Sequence, residues 1–480
     1  MARPQPPDPG LPIKLGPCGN GEFDPPPAPP SAREAVRRAN AIADDHARRV
    51  GMSRRQFLRS SLGVATTLTA LAACTRESGQ TGGTFVVDPE PTTPSSGAAA
   101  TSGDTAGPDV TLDAEAAEAA VGPLDEEFIF DVQNHLLELG PGDSAPGFPQ
   151  SACGEADPKD CYSIEHFLEL LFVESDTHLV MLSAIPFAPG ALSPGVMERT
   201  IEAADRLGCT DRVLMQGESF PTSIGLDAMA EVAASSPIRA FKTYTHAGGP
   251  PWRLDDDTGD AFLAQVAAVG VPIVAVHKGL SGNDPASSPA DIGPAAASHP
   301  DIDLLVYHSG YESGVAEGPY RESTADVGVN RLITSLQGAG IGPGGNVYAE
   351  LGSTWRTLMS RPDEAAHLLG KLLVAVGADN ILWGTDSIWY GSPQDQIQAF
   401  RTFHITEEFQ ERFGYPALTP AIKRKILGHN AARLFGIDPL SEPCRLDRDR
   451  LAELRDERAA ATFHTHAEVA AQALAAARRA

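Results

Sequence analysis

From Leu124 onward, apolar and polar positions fall into a repeating two-part pattern. A short β-branched or apolar run is followed by a longer stretch whose apolar residues recur at i, i+3, i+4 and i+7, the spacing of a half-buried helix. Eight such runs stand in order: Phe128–Leu136, His178–Pro186, Asp211–Ser219, Ile238–Thr245, Pro272–Gly279, Asp303–Gly310, Asn346–Gly352 and Ile381–Ser387. Helical stretches such as SIEHFLELLFVES, VMERTIEAADRLG and DEAAHLLGKLLVAVG separate them. The runs are continuously apolar and do not alternate, as expected of strands buried on both faces in a parallel sheet. An open doubly wound sheet would carry a glycine-rich phosphate turn after its first strand, and the first run continues instead into QNHLLELGPG. Eight strand–helix units therefore predict an α/β fold, a (β/α)8 TIM barrel over residues 124–440.

The region ahead of the barrel reads differently. Residues 1–51 are Pro-rich and then charged. The SRRQFL of Ser53–Leu58, a mildly apolar stretch from Leu62 to Ala73, and Leu71-Ala72-Ala73-Cys74 together resemble a twin-arginine export signal ending in a lipobox. Residues 52–74 are therefore expected to direct export to the cell envelope, periplasm or cell surface, with a lipid anchor at Cys74. The motif lies some fifty residues in, so either Met52 is the start or the signal has a long leading extension. Residues 75–123 are rich in Gly, Ser, Thr, Pro and Ala and read as a flexible tether, which makes the whole N-terminal region disordered in this reading. Residues 441–480 are Ala- and charge-rich and predict a C-terminal helical tail, packed on the barrel or on a neighbouring subunit of a homo-oligomer. In such a helix His464 and His466 face different sides and read as surface.

Composition narrows the partners. With 37 basic against 63 acidic side chains the net charge is −26, which repels nucleic acid phosphates and anionic headgroups. Membrane contact is expected only through Cys74. Six cysteines in 480 residues do not make a disulfide scaffold, and no CxxC pair is present. Cys153 and Cys161 flank a turn-rich insertion and would pair in an oxidising compartment, free thiols being the alternative; Cys209 and Cys444 have no evident relation.

A barrel of this type places its chemistry at the C-terminal strand ends. There stand Gln133 and His135 on strand one, Lys242 on strand four, His277 on five, His308 on six, Glu350 on seven and Asp386 on eight. One histidine at a strand end is more often an ordinary hydrogen-bonded residue. Three histidines and an aspartate facing one mouth suit a divalent metal, zinc by donor type. The long loop after strand four adds Tyr244, His246, Trp252 and Arg253 as candidate substrate residues, a solvated loop with one anchoring Trp being the equal alternative.

ILWGTDS followed by GSPQDQI, and KRKILGHNAARLFGI near the end of the barrel, resemble the amidohydrolase superfamily, specifically its amidohydrolase-related branch (family 2). The resemblance covers about Phe128 to Ile437. It implies His277 as the strand-five metal ligand and His308 as the strand-six histidine that orients or activates water or substrate. Asp386 becomes a metal ligand, a general base or both, and His135 the second histidine of a strand-one H-x-H pair. The first position of that pair is Gln133, and an amide oxygen is a poorer ligand than an imidazole, so the resemblance leaves the metal site weakened, altered or absent. In some branches the strand-four lysine is carboxylated and bridges two metals. A plain Lys242 ammonium that binds substrate or pairs with Asp386 or Glu350 is preferred here, since a two-metal site would want both strand-one histidines.

The activity implied is hydrolysis of a small acyl-type substrate, an amide, ester or lactone, by activated water, with Asp386, His308 and Lys242 catalytic and the metal held by His135, His277, Asp386 and Gln133. Metal-dependent decarboxylation of an unsaturated or aromatic acid is the alternative with the same site. A non-catalytic binding protein on a degenerate barrel is the alternative of another class, for which Gln133 is the argument.

Overall fold

The computed structural model describes residues 10–17, 19–87, 113–140, 143–145, 153–155, 157–186, 192–440 and 442–457. The middle of the expected tether, Cys18 and the tail beyond residue 457, with His464 and His466, lie outside the described residues.

The strands are β1 (Gly83–Phe85), β2 (Phe130–Asn134), β3 (Leu179–Leu182), β4 (Val213–Glu218), β5 (Ile238–Tyr244), β6 (Ile273–His277), β7 (Asp303–Tyr307), β8 (Val347–Glu350), β9 (Ile381–Leu382) and β10 (Phe403–Ile405). β2 to β9 form one eight-stranded sheet in sequence order, every pair parallel. Each lies inside one of the eight apolar runs. The ring closes where β2 meets the segment after β9: Val132 N donates to Trp383 O at 3.1 Å, Asp386 N to Gln133 O at 3.0 Å and His135 N to Ser387 O at 2.6 Å.

Phe130, Val132, Met181, Ala275, Leu305 and Tyr307 belong to one buried cluster that continues into the helix Asn430–Phe435. Phe435 packs its ring 5.6 Å from that of Phe130. The same helix is pinned by Asn430, whose side chain donates to Ala378 O and Ile381 O at 2.8 Å each. The closing segment thus serves packing, at the end of the strands opposite the candidate chemistry.

The N-terminal region departs from the disordered expectation. Its described part folds into α1 (Pro30–Arg49), α2 (Arg54–Leu58) and α3 (Ser61–Glu77), and α4 (Ala114–Val121) follows. The physical reason lies in α1, where Ala32, Ala35, Ala39, Ala43 and Ala47 form a fully buried face of small side chains that allows close approach to α3. α3 is correspondingly buried along most of its length, from Leu62 to Thr75, and meets α2, α4 and β1. A stretch of Ala, Leu and Thr with little charge reads alike as a mild export h-region or as a buried helix. The arginine pair is on α2, capped by Ser53 in a reciprocal box with Gln56. β1 pairs antiparallel with β10 and ties this unit to the barrel. Among the described residues no helix is long and apolar enough to cross a membrane.

Cys153 and Cys161 are disulfide-bonded. So are Cys209 and Cys444, a pair that spacing does not suggest because 235 positions separate them. Residues 448–457 are helical, and Arg448 and Arg455 reach Glu169 on the helix Ile164–Phe172. That part of the tail therefore packs on the barrel.

Candidate active site

Strand one and the loop after strand eight are tied together by Asp131, wholly buried in β2. Its Oδ1 accepts from Gln133 N at 3.2 Å and from Thr385 N at 3.1 Å, and its Oδ2 accepts from Thr385 Oγ1. Burial raises its pKa to about 7 against those hydrogen bonds. His135 stands two residues beyond the anchored Gln133, and Asp386 one beyond the anchored Thr385. Asp386 has φ 56° and His308 φ 64°, left-handed conformations that L side chains seldom adopt.

Asp386 is the hub. Its Oδ1 accepts from Gln133 Nε2 at 3.2 Å and lies 3.1 Å from His135 Nε2. Its Oδ2 accepts from Ser353 Oγ and, at 2.9 Å, from Asn20 Nδ2. Burial acts to raise its pKa, but the hydrogen bond and charge of His135, with His308 and Ser353, hold it well below the usual carboxylate range. Gln133 turns its amide NH2 toward both Asp386 and His308 Nε2, the latter at 3.4 Å, and its Oε1 is buried without a hydrogen-bond partner.

The two flanking imidazoles have fixed tautomers. His135 Nδ1 is 2.6 Å from Ser183 O and His308 Nδ1 2.7 Å from Gly352 O, so each Nδ1 carries a proton. Each Nε2 then turns a lone pair into the mouth. His135 Nε2 faces a carboxylate oxygen at 3.1 Å, an arrangement that needs a proton or a cation between them. Glu350 holds the His308 end of this network: Oε2 accepts from His308 N at 3.0 Å and Oε1 from Gly352 N at 2.5 Å. Burial pushes the Glu350 carboxyl up to about 8, partly opposed by those two bonds.

β5 and β6 complete the wall. His277 is buried, stacked on Tyr244 with centroids 4.8 Å apart, and its ring lies 4.6 Å from that of His308 and 5.0 Å from that of His246. Its Nε2 has no hydrogen-bond partner. Burial, then His308 and His246, push His277 well below the ordinary imidazole pKa; burial likewise takes His308 and His246 to about 4, so all three are neutral at neutral pH. Lys242 is fully buried, its Nζ 3.8 Å from the centroid of Tyr307 and 4.5 Å from that of Tyr244, without a hydrogen bond. Burial lowers its pKa to about 7 despite Glu22, Glu350 and Asp386.

The structure thus gathers His135, Gln133, His277, His308, Asp386, Lys242, Glu350, Tyr244 and His246. It does not gather two of the loop residues: Trp252 packs edge-on against Phe262 in the core, and Arg253 forks onto Asp255. Sequence reasoning missed Asp131, Ser353 and Tyr390, whose hydroxyl meets Ser353 Oγ. It also missed Asn20 and Glu22, which arrive from the N-terminal extension. Asn20 Nδ2 donates to Glu22 Oε2 and to Asp386 Oδ2, both at 2.9 Å, and Glu22 Oε2 lies 3.9 Å from His277 Nε2.

The donor set fits a divalent cation. Imidazoles beside an ionised carboxylate, with Nδ1 of His135 and of His308 engaged by a backbone carbonyl, are the arrangement metal-binding histidines require. His277 Nε2, buried and unpartnered, is the atom that such an ion would satisfy.

The amidohydrolase family model matches residues 186–437, more than half of the chain. No curated protein matches. Among solved structures, an uncharacterised TIM-barrel protein from Bordetella bronchiseptica is 15% identical, with TM-score 0.45, covering 64% of this chain and 98% of its own. An amidohydrolase from Burkholderia multivorans with bound HEPES is 16% identical, with TM-score 0.41, covering 65% and 100%. A 2,6-dihydroxybenzoate decarboxylase from Rhizobium is 14% identical, with TM-score 0.39, covering 65% and 99%.

Proposed function

Since the chain belongs to the amidohydrolase family, we propose that it is a metal-dependent hydrolase that adds water to a small amide, ester or lactone. The observation that carries this reading is the gathering of three imidazoles and a carboxylate at the C-terminal mouth of the barrel, His135 Nε2 lying 3.1 Å from Asp386 Oδ1 and the ring of His277 4.6 Å from that of His308. A divalent ion, zinc by the mixture of imidazole and carboxylate donors, would be held by His135, His277 and Asp386 and would supply Lewis acidity and an acidified water.

The chain's own groups do the rest. Asp386 stays ionised and takes the proton from water at a carboxylate oxygen. The proton then passes from Asp386 to the free Nε2 of His308, whose Nδ1 proton stays on Gly352 O, and from Nε2 to the leaving group, which restores both groups. Lys242 stabilises negative charge as it develops on the substrate oxygen.

The test is turnover by the purified full chain with added zinc, on a panel of amides, esters and lactones followed by pH-stat, and on aromatic and unsaturated acids followed by CO2 release. Hydrolysis that falls by about 10²–10⁴-fold in Asp386→Asn supports the reading. CO2 release without hydrolysis would transfer the site to decarboxylation. Hydrolysis undiminished in Asp386→Asn would remove the assigned base and the proposal with it.

A further inference from the structure

We propose that Glu22, carried on the N-terminal extension, is itself a ligand of the divalent cation, beside His277. The inference rests on the metal-dependent reading above and adds a ligand that strand-end reasoning does not reach.

The geometry has three parts. First, one ligand atom each of Glu22, His277 and His308 lie within 4.8 Å of one another, so the Glu22 carboxylate stands beside the ligand His277 and the proton carrier His308. His277 is 1% exposed and His308 fully buried, and His277 Nε2 has no hydrogen-bond partner. Second, the strand-one position that would supply a further donor is Gln133, and its amide presents N–H to Asp386 and His308. Third, Asn20 bridges the two carboxylates with one amide nitrogen, at 2.9 Å to each, and so ties Glu22 to Asp386. Two carboxylates in one buried mouth repel unless a proton or a cation relieves the pair. Lys242, the ammonium nearby, makes no hydrogen bond to either.

The segment is built to stay. Ile13 and Leu15 are buried in the core, and Lys14 donates through N to Asp395 at 3.2 Å and through Nζ to Tyr390 O at 3.1 Å. Beyond Glu22, Asp24 O accepts from Ser313 Oγ at 2.8 Å and Pro27 O from Arg361 Nη2 at 2.6 Å. Anchors on both sides fix the Asn20–Glu22 turn over the mouth. A mere cover would need neither a carboxylate directed at His277 nor an amide joined to Asp386.

The experiment compares wild type, Glu22→Gln and Asp386→Asn as full chains, stripped with chelator and titrated with zinc against a chromophoric competitor. Cobalt spectra of the same proteins report the ligand field. Glu22→Gln is nearly isosteric on a loop, and circular dichroism of the stripped proteins checks that it folds. The expected result is one zinc per wild-type chain, an affinity at least about tenfold weaker in Glu22→Gln, and an altered cobalt spectrum. Wild-type affinity and spectrum in Glu22→Gln, with binding lost in Asp386→Asn, overturn the role of Glu22 and leave the metal-dependent reading standing. Absence of zinc binding by wild type overturns both.

Discussion

Lys242 offers the sharpest quantitative test, because the structure places a buried cation where nothing hydrogen-bonds to it. Its folded pKa falls from 10.5 to about 7, chiefly through burial. At 1.36 kcal/mol per unit the charged form costs the fold on the order of 4–5 kcal/mol. The faces of Tyr307 and Tyr244, 3.8 and 4.5 Å from Nζ, return part of this, roughly 1–2 kcal/mol for desolvated cation–π contacts. Lys242→Met keeps the length of the side chain and removes the charge, so metal-free protein should gain roughly 2–4 kcal/mol at pH 6. The sign with pH is fixed by linkage. Below about pH 7 the lysine is charged in both states and the full cost stands. Between about 7 and 10.5 the unfolded chain binds the proton and the folded one does not, so wild-type stability climbs with pH and the advantage of the variant shrinks. Urea unfolding in EDTA at pH 6 and pH 10 measures both gaps, and turnover measures the loss of function. A Met variant no more stable than wild type at pH 6, or a gap equal at the two pH values, would refute the reasoning.

Other perturbations act through packing and chain integrity. Arg401 is 3% exposed and bonds Glu127 through Nε at 3.0 Å and through Nη2, and Asp176 through Nη1 at 2.9 Å. Arg401→Met strands two carboxylates and should cost roughly 3–5 kcal/mol in urea unfolding. A Cβ at Gly384 would overlap Glu350 Oε1, so Gly384→Ala should free His308 N and Gly352 N from Glu350, destabilising by about 1–3 kcal/mol and lowering kcat more than it raises KM. If Glu22 is a ligand, intact mass spectrometry of the zinc-binding species should show a chain that retains Asn20 and Glu22. A species processed at Cys74 should bind zinc at least about tenfold more weakly.

The barrel was legible because strand burial writes itself into composition: every strand from β2 to β9 falls within a continuous apolar run. His135, His277, His308 and Asp386 were legible for the same reason, since a histidine or aspartate at the end of such a run has few other places to point. What could not be read depends on residues brought together without periodicity. Asn20 meets Asp386 across 366 positions, from a proline-rich stretch with no helical or strand spacing. Ser353 and Tyr390 are hydroxyls of common types whose role exists only through Asp386 Oδ2. For Trp252 the sequence left a lid residue and an anchoring tryptophan level, and its ring packs edge-on against Phe262, the anchoring arrangement.

Backbone strain at the mouth follows the same division. Eight non-glycine residues have positive φ among the described residues, and His308, Ser309, Ser353 and Asp386 are four of them. Each such conformation costs on the order of 1–2 kcal/mol and persists only where neighbours over-determine it. They do so here: Thr354 Oγ1 donates to His308 O at 3.0 Å, Ser309 Oγ to Glu350 O at 2.7 Å, and Ser353 Oγ to Asp386. Chance strain would be scattered along the surface turns. Its concentration on the residues that present one histidine and one aspartate to the same space means that the fold gives up stability to aim those two side chains. Asn20 bonds the aspartate thus aimed, so the N-terminal segment belongs to the same constellation as the strand ends, although it lies outside the barrel sequence.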